Sequence, residues 1–199
     1  MSATVRIPKA LHEILGREQS LLEIGLVVLA ALGFGAALSV SAADELAGVP
    51  AWRAALAVLL IADIAAGCIA NFTRGTDRHY AENPRSRWVF IAVHWHLVAI
   101  AVLLDLPVFP ALVVTAYALT AASIVNLLHG RHLQIAVGAS TMVTGVVGII
   151  FWMPQSTPPF LVATSALFVV KVVFAFAVTH HGVDDRAPEA ASPSTRVHA

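Results

Sequence analysis

Six apolar stretches fill most of this chain, and four ionisable residues lie deep inside three of them. The stretches cover residues 21–43, 51–72, 88–106, 110–128, 133–153 and 160–178. A helix needs about 20 apolar residues to cross about 30 Å of hydrocarbon, and each stretch is close to that length. The expected fold is therefore all-α: a polytopic membrane protein built as a six-helix transmembrane bundle. Composition agrees. Only 12% of the 199 residues are charged, against about 25% in soluble domains. That leaves too little polar surface for a water-soluble globule. The net charge of +0 offers no general attraction to nucleic acid. A single cysteine, Cys68, excludes an internal disulfide and argues against Cys-ligated zinc or iron–sulfur centres. Its ordinary role is that of a small packing residue.

Lys and Arg collect on one side of the expected bundle. Arg6, Lys9 and Arg17 precede the first stretch, Arg74, Arg78, Arg85 and Arg87 separate the second from the third, and Arg131 separates the fourth from the fifth. Arg186 and Arg196 lie in the tail, while the opposite links offer only Arg53. The positive-inside rule then places both termini in the cytoplasm and the protein in the cytoplasmic membrane. Trp52, Trp88 and Trp152 fall at the ends of stretches, as an interfacial belt requires, and Trp95 is the exception. Three regions follow. Residues 1–20 are expected as an amphipathic interfacial helix, with Ile7, Leu11, Ile14 and Leu15 on its apolar face and no separate leader core. Residues 21–181 form the transmembrane domain. Residues 182–199, rich in Pro, Ala and Ser, are expected as a disordered cytoplasmic tail.

Charge within a bilayer is expensive, so Asp63, His94, His96 and Lys171 are functional candidates by default. At about 1.5 Å rise per residue, Asp63 and Lys171 lie roughly 12 Å from the inner ends of their spans and His94 roughly 10 Å. Ser140, Thr141 and Thr144 of the fifth span fall near the same level. A shared depth is what a common polar cavity produces. On a regular helix His96 points about 200° away from His94, so the two imidazoles would not meet at one metal. Asp63 shares a stripe with Ala66, Gly67 and Ala70, small residues that let helices approach closely. Each candidate also has a plain structural role. Lys171 can snorkel to the inner surface, Asp63 can pair with Lys171 to hold two spans together, and either His can be neutral and hydrogen-bonded. Asn126 reads as interhelical glue.

The longest polar segment, residues 71–87, holds Arg74, Asp77, Arg78, His79, Tyr80, Arg85 and Arg87. As a cytoplasmic loop it sets topology and meets anionic head groups. As a recognition loop it offers Arg side chains to phosphate or carboxylate. Pro84 is expected to turn the chain into the third span.

Two other chemistries match parts of the sequence. Gly138-Ala-Ser140-Thr141 resembles part of the Gly-x-Ser-Gly nucleophile region of rhomboid proteases, which have six-span cores. The second Gly and a buried partner His on the last span are missing, so an intramembrane enzyme is not the favoured reading. A haem b anchor would need two His from facing helices at one depth, and His94 with His132 is the pair available. The favoured reading is a bundle that binds or moves a small solute, ion or proton through an inner cavity lined by Asp63, His94 and Lys171. Ser140 and Thr144 would lie nearby. The lipid bilayer is one partner, and a homo-oligomer or a larger membrane complex supplies the other. An accessory or redox-anchor subunit is the alternative.

Overall fold

The computed structural model describes residues 4–181; the expected tail at 182–199 lies outside them. Among the described residues six helices are long and apolar enough to cross a membrane. The first is α2 (Leu21–Ser41), preceded at the amino end by α1 (His12–Leu15). A short α3 (Ala43–Ala47) leads to the second, α4 (Ala51–Ala70), and α5 (Arg74–Glu82) follows it. The third is split into α6 (Pro84–Val93) and α7 (His96–Leu103). The fourth and fifth are α8 (Val108–Leu127) and α9 (Gln134–Trp152). The sixth begins as α10 (Pro159–Val169) and continues as a π-helical stretch over Val170–Phe176.

Local sequence explains most starts. Ser20 caps α2 in a capping box with Glu23, satisfying two orphan N–H groups reciprocally. Pro50, Pro107 and Pro158 each immediately precede a long helix, and Pro84 and Pro159 occupy first turns, where a missing N–H costs nothing. The third span therefore starts four residues before Trp88, which takes Arg87 into the bundle.

The sixth helix is the centre of the bundle. Its α10 segment touches α2, α4, α7, α8 and α9. Phe160, Leu161 and Phe168 from it meet Ile61, Ile64, Leu97 and Ile100 in the core. The first helix lies along α4, and the backbone of Gly35 faces Ala62 closely enough that an added Cβ would sit 3.3 Å from the Ala62 Cα. At the end bearing the short links, Arg53 forks onto Asp105 (2.6 and 3.1 Å) and also reaches the carbonyl of Val102 (2.6 Å). The other end gathers most of the Arg residues and is called the basic end below.

Three local expectations are corrected. The amino-terminal segment is not one amphipathic helix. Strand β1 (Thr4–Arg6) pairs antiparallel with β2 (Glu18–Ser20), enclosing a 3-10 turn at Lys9–Leu11 and the single turn of α1. Pro8 provides no N–H and disfavours helix at the residue before it. Gly16, at φ +70°, turns the chain back. The polar segment after α4 is largely helix α5, folded against α1 and β2 rather than a loop. Finally, the third span is not regular at His94 and Trp95. The backbone of His94 leaves helical geometry (φ −81°, ψ 66°), so the 200° separation expected of His94 and His96 does not apply.

Candidate functional site

The break in the third helix and the π stretch of the sixth lie at the same place in the bundle, and the ionisable residues meet there. Lys171 Nζ donates to Asp63 Oδ2 at 2.5 Å and to the Asp63 backbone carbonyl at 3.3 Å. His96 Nε2 is 3.7 Å from the same Oδ2. The rings of His94 and His96 are 4.7 Å apart, edge to face. Four groups from three helices therefore form one chain: Lys171, Asp63, His96, His94.

Each member is positioned by a specific feature. Lys171 is 3% exposed and does not snorkel. It fits because Gly67 faces it; a Cβ there would run into Lys171 Cε. Asp63 occupies the same stripe of α4, so one helix face supplies both the room and the counter-charge. His94 answers the backbone break itself. In a regular helix the Phe90 carbonyl would accept the His94 N–H; here the His94 N–H goes to Ile91, and the ring Nδ1 is 2.5 Å from the Phe90 oxygen. A carbonyl only accepts, so Nδ1 carries the proton. The ring also stacks on Phe90, centroids 3.6 Å apart, and Phe90 stacks on Phe176 at 3.5 Å. Tyr80 stands edge-on to both phenyl rings.

The exposure of the ion pair is uneven. The Lys171 side chain is enclosed, whereas that of Asp63 is 44% exposed. The cation is held by protein and the anion opens on one side. Cys68 donates its S–H to the Leu167 carbonyl, as a packing residue does.

A second polar layer closes the basic end. Arg87 is 2% exposed, donates Nε to Asn126 Oδ1 (2.5 Å) and Nη2 to the Ala177 carbonyl (2.8 Å), and lies 5.7 Å from the Phe176 ring. Gln134 donates to the same carbonyl at 2.9 Å. The Asp77 carboxylate accepts the backbone N–H groups of His180 (3.2 Å) and His181 (2.8 Å). Together these satisfy the backbone where the sixth helix ends.

Other expected site residues fall elsewhere. Ser140 and Thr144 face outward from α9, where the Thr144 hydroxyl bonds back to the Ser140 carbonyl. Thr141 does likewise within its own helix and accepts nothing from the cluster. Arg74, Arg78 and Arg85 are exposed, whereas His79 and Tyr80 lie on the buried face of α5. His132 is exposed in the link before α9. Among the described residues no group of three or more His, Cys, Asp or Glu side chains is placed to hold a metal ion. Gln134 and the roles of Gly67 and Phe90 escape a reading from spacing alone; the one sequence signal was Gly67 on the Asp63 stripe. Comparison with family models, with curated proteins and with solved structures finds no match.

Proposed function

We propose that this chain is a multi-pass protein of the cytoplasmic membrane, with both termini inside, that binds and moves protons, alone or with a small solute, through the chain of Asp63, Lys171, His96 and His94. The observation that carries this reading is the convergence of four ionisable side chains where two helices lose regular geometry. Discontinuous helices at membrane depth are a recurring way to build transport sites, because irregular backbone is tolerated where it borders protein or a cavity. Chains of Asp and His are the usual proton relays.

The chemistry is simple. A proton arriving at the open side of Asp63 neutralises the carboxylate and removes the partner of Lys171. The enclosed ammonium then favours returning that proton. His96, 3.7 Å from the same oxygen, is the nearest acceptor, and His94 stands next in line. With Asp63 open on one side, a second copy or a partner subunit completes the site.

The bilayer placement is supported by large apolar side chains on the outer faces, including Leu29, Leu32, Phe151 and Ile150. Orientation rests on the basic end. Reporter fusions at Gly75 and Ser156 should fall on opposite sides, with Gly75 inside; Gly75 facing outward overturns the topology.

Function is tested in proteoliposomes containing a pH-sensitive dye. An imposed potential should drive proton uptake in the parent protein, and Asp63→Asn should abolish it. His96→Gln should reduce flux more than His94→Gln, because His96 adjoins the carboxylate. Absence of flux, or flux unchanged in Asp63→Asn, sinks the proposal. A reduced-minus-oxidised haem band in the purified protein would replace it with a redox-anchor reading.

A further inference from the structure

The basic end carries a feature that proton movement does not use. Between the strand pair and α5 opens a cavity of about 1130 Å³. Arg6, Lys9, Arg17, Arg74, Arg78 and His12 line it. Its acidic lining residues are Glu18, Glu23 and Glu82. Two of these are already engaged. Glu23 Oε2 accepts from the Ser20 N–H (3.1 Å) and hydroxyl (2.7 Å), and its Oε1 accepts the Arg74 N–H (3.3 Å). Glu18 lies 3.8 Å from Arg6. Five Lys and Arg side chains against three Glu leave the cavity with a surplus of cations.

It is also built by the fold rather than by loose arms. Gln19, 1% exposed, donates to Thr73 Oγ1 at 2.6 Å, and the Thr76 hydroxyl donates to the Ile14 carbonyl at 3.1 Å. The backbones of Gly16 and Gly75 approach so closely that a Cβ at Gly16 would strike the Gly75 carbonyl, and one at Gly75 would strike that of Glu18. The two cation-bearing segments are locked together before any ligand arrives.

We propose that this cavity binds a phosphate group, held by Arg74 and Arg78 of α5 together with Arg17 and Lys9 of the amino-terminal segment, all of which line it. Forked guanidinium groups suit tetrahedral phosphate oxygens, and Lys adds a point charge. The phosphate belongs to a lipid head group or to a free phosphorylated solute; the recognition chemistry is the same.

The full chain in neutral detergent is titrated with inorganic phosphate and followed by thermal shift. In parallel it is placed in phosphatidylcholine nanodiscs with and without phosphatidylglycerol, and retained lipid is counted by native mass spectrometry. Saturable phosphate binding supports the proposal with a soluble ligand; selective phosphatidylglycerol retention supports it with a head group. The double variant Arg74→Gln/Arg78→Gln should weaken whichever binding occurs by about tenfold or more, the loss expected of charge-assisted hydrogen bonds. Arg131→Gln, at the same end but outside the cavity, should change it by less than about twofold. Arg17→Gln provides a second variant should the double one misfold. Equal loss from the cavity and Arg131 variants means general surface charge and overturns the site, as does the absence of saturable binding of both probes to the parent.

Discussion

The first and sixth long helices are near-equals as sequences, each apolar over the length of a bilayer crossing, yet they behave as opposites in the bundle. The first, α2, is regular and peripheral: only Val27, Ala30, Gly35 and Leu38 along it are buried, and Leu32 and Val40 are 68% and 76% exposed. The sixth is buried along most of its length, changes to π-helical bonding after Val169 and encloses a lysine. The difference lies in what surrounds the backbone. A helix facing lipid has no partner for a freed N–H or C=O except its own next turn, so it stays regular. The sixth helix has neighbours. Arg87 and Gln134 donate to the Ala177 carbonyl, Asp77 accepts from the two residues that follow Thr179, and Asp63 takes the charge of Lys171. Irregular backbone and buried charge persist where protein supplies the missing bonds, and functional sites are drawn to such places.

The contrast breaks most severely if Lys171 is stranded. Asp63→Asn leaves an enclosed ammonium without its counter-charge and should destabilise by about 3–5 kcal/mol, the usual loss on breaking a buried pair. Lys171→Met should cost less, because the carboxylate it strands keeps an open side. The double variant should recover much of the loss. Thermal unfolding of all three in detergent measures the coupling; strictly additive effects would mean that the two groups act independently.

Arg87→Met tests the layer that closes the sixth helix. It removes the bonds to Asn126 and Ala177 and should cost about 1.5–3 kcal/mol. Hydrogen exchange over 170–177 should quicken. Leu29→Ala, on the exposed side of α2, should stay within about 0.5 kcal/mol, and a larger loss there would erase the distinction between the two helices.

Two glycines sharpen the same distinction. Gly67→Ala pushes a methyl group against Lys171 and should destabilise by about 1–3 kcal/mol through overpacking. Gly33→Ala, with nothing near its added Cβ, should stabilise by about 0.5–1 kcal/mol through helix propensity. Opposite signs in the same unfolding assay are the expected result. The smallest effect belongs to Arg53 and Asp105. Hydrogen bonding to Arg53 holds the Asp105 carboxyl below its ordinary value of 3.8. A depressed carboxyl stabilises above that value and loses its contribution as pH falls through the lower, folded one. Asp105→Asn should therefore change the melting temperature slightly at neutral pH and not at all in strong acid. The exposed position of the pair keeps the effect small.

Much of this architecture is legible in residue order. Apolar run length marks the six long helices to within a few residues, and prolines mark most of their starts. Equal depth brings Asp63 and Lys171 to one level, where they pair. What spacing misreads is local irregularity. The triplet His94-Trp95-His96 contains no Pro or Gly to announce a break, so helical spacing separates two rings that the bundle brings together. Ser140 and Thr144 have the right depth and the wrong face, because a helix as uniformly apolar as α9 does not declare which side turns inward. Arg87 reads as a loop cation and becomes an interior donor once Pro84 starts the helix earlier.

Hydrophobic length and charge bias are sums along the chain, and a helix in lipid must satisfy its own backbone, so helix number, succession and the segregation of Arg to one end need no knowledge of neighbours. Which helix is central, where it departs from α geometry and which ionisable groups meet are settled by contacts between residues far apart in sequence. Gly67 admitting Lys171, Arg87 reaching Ala177 and Asp77 holding the chain after Thr179 are all such contacts. Their hydrogen bonds replace those the irregular helices lack, and a donor or acceptor of that kind exists only once the bundle has assembled around it.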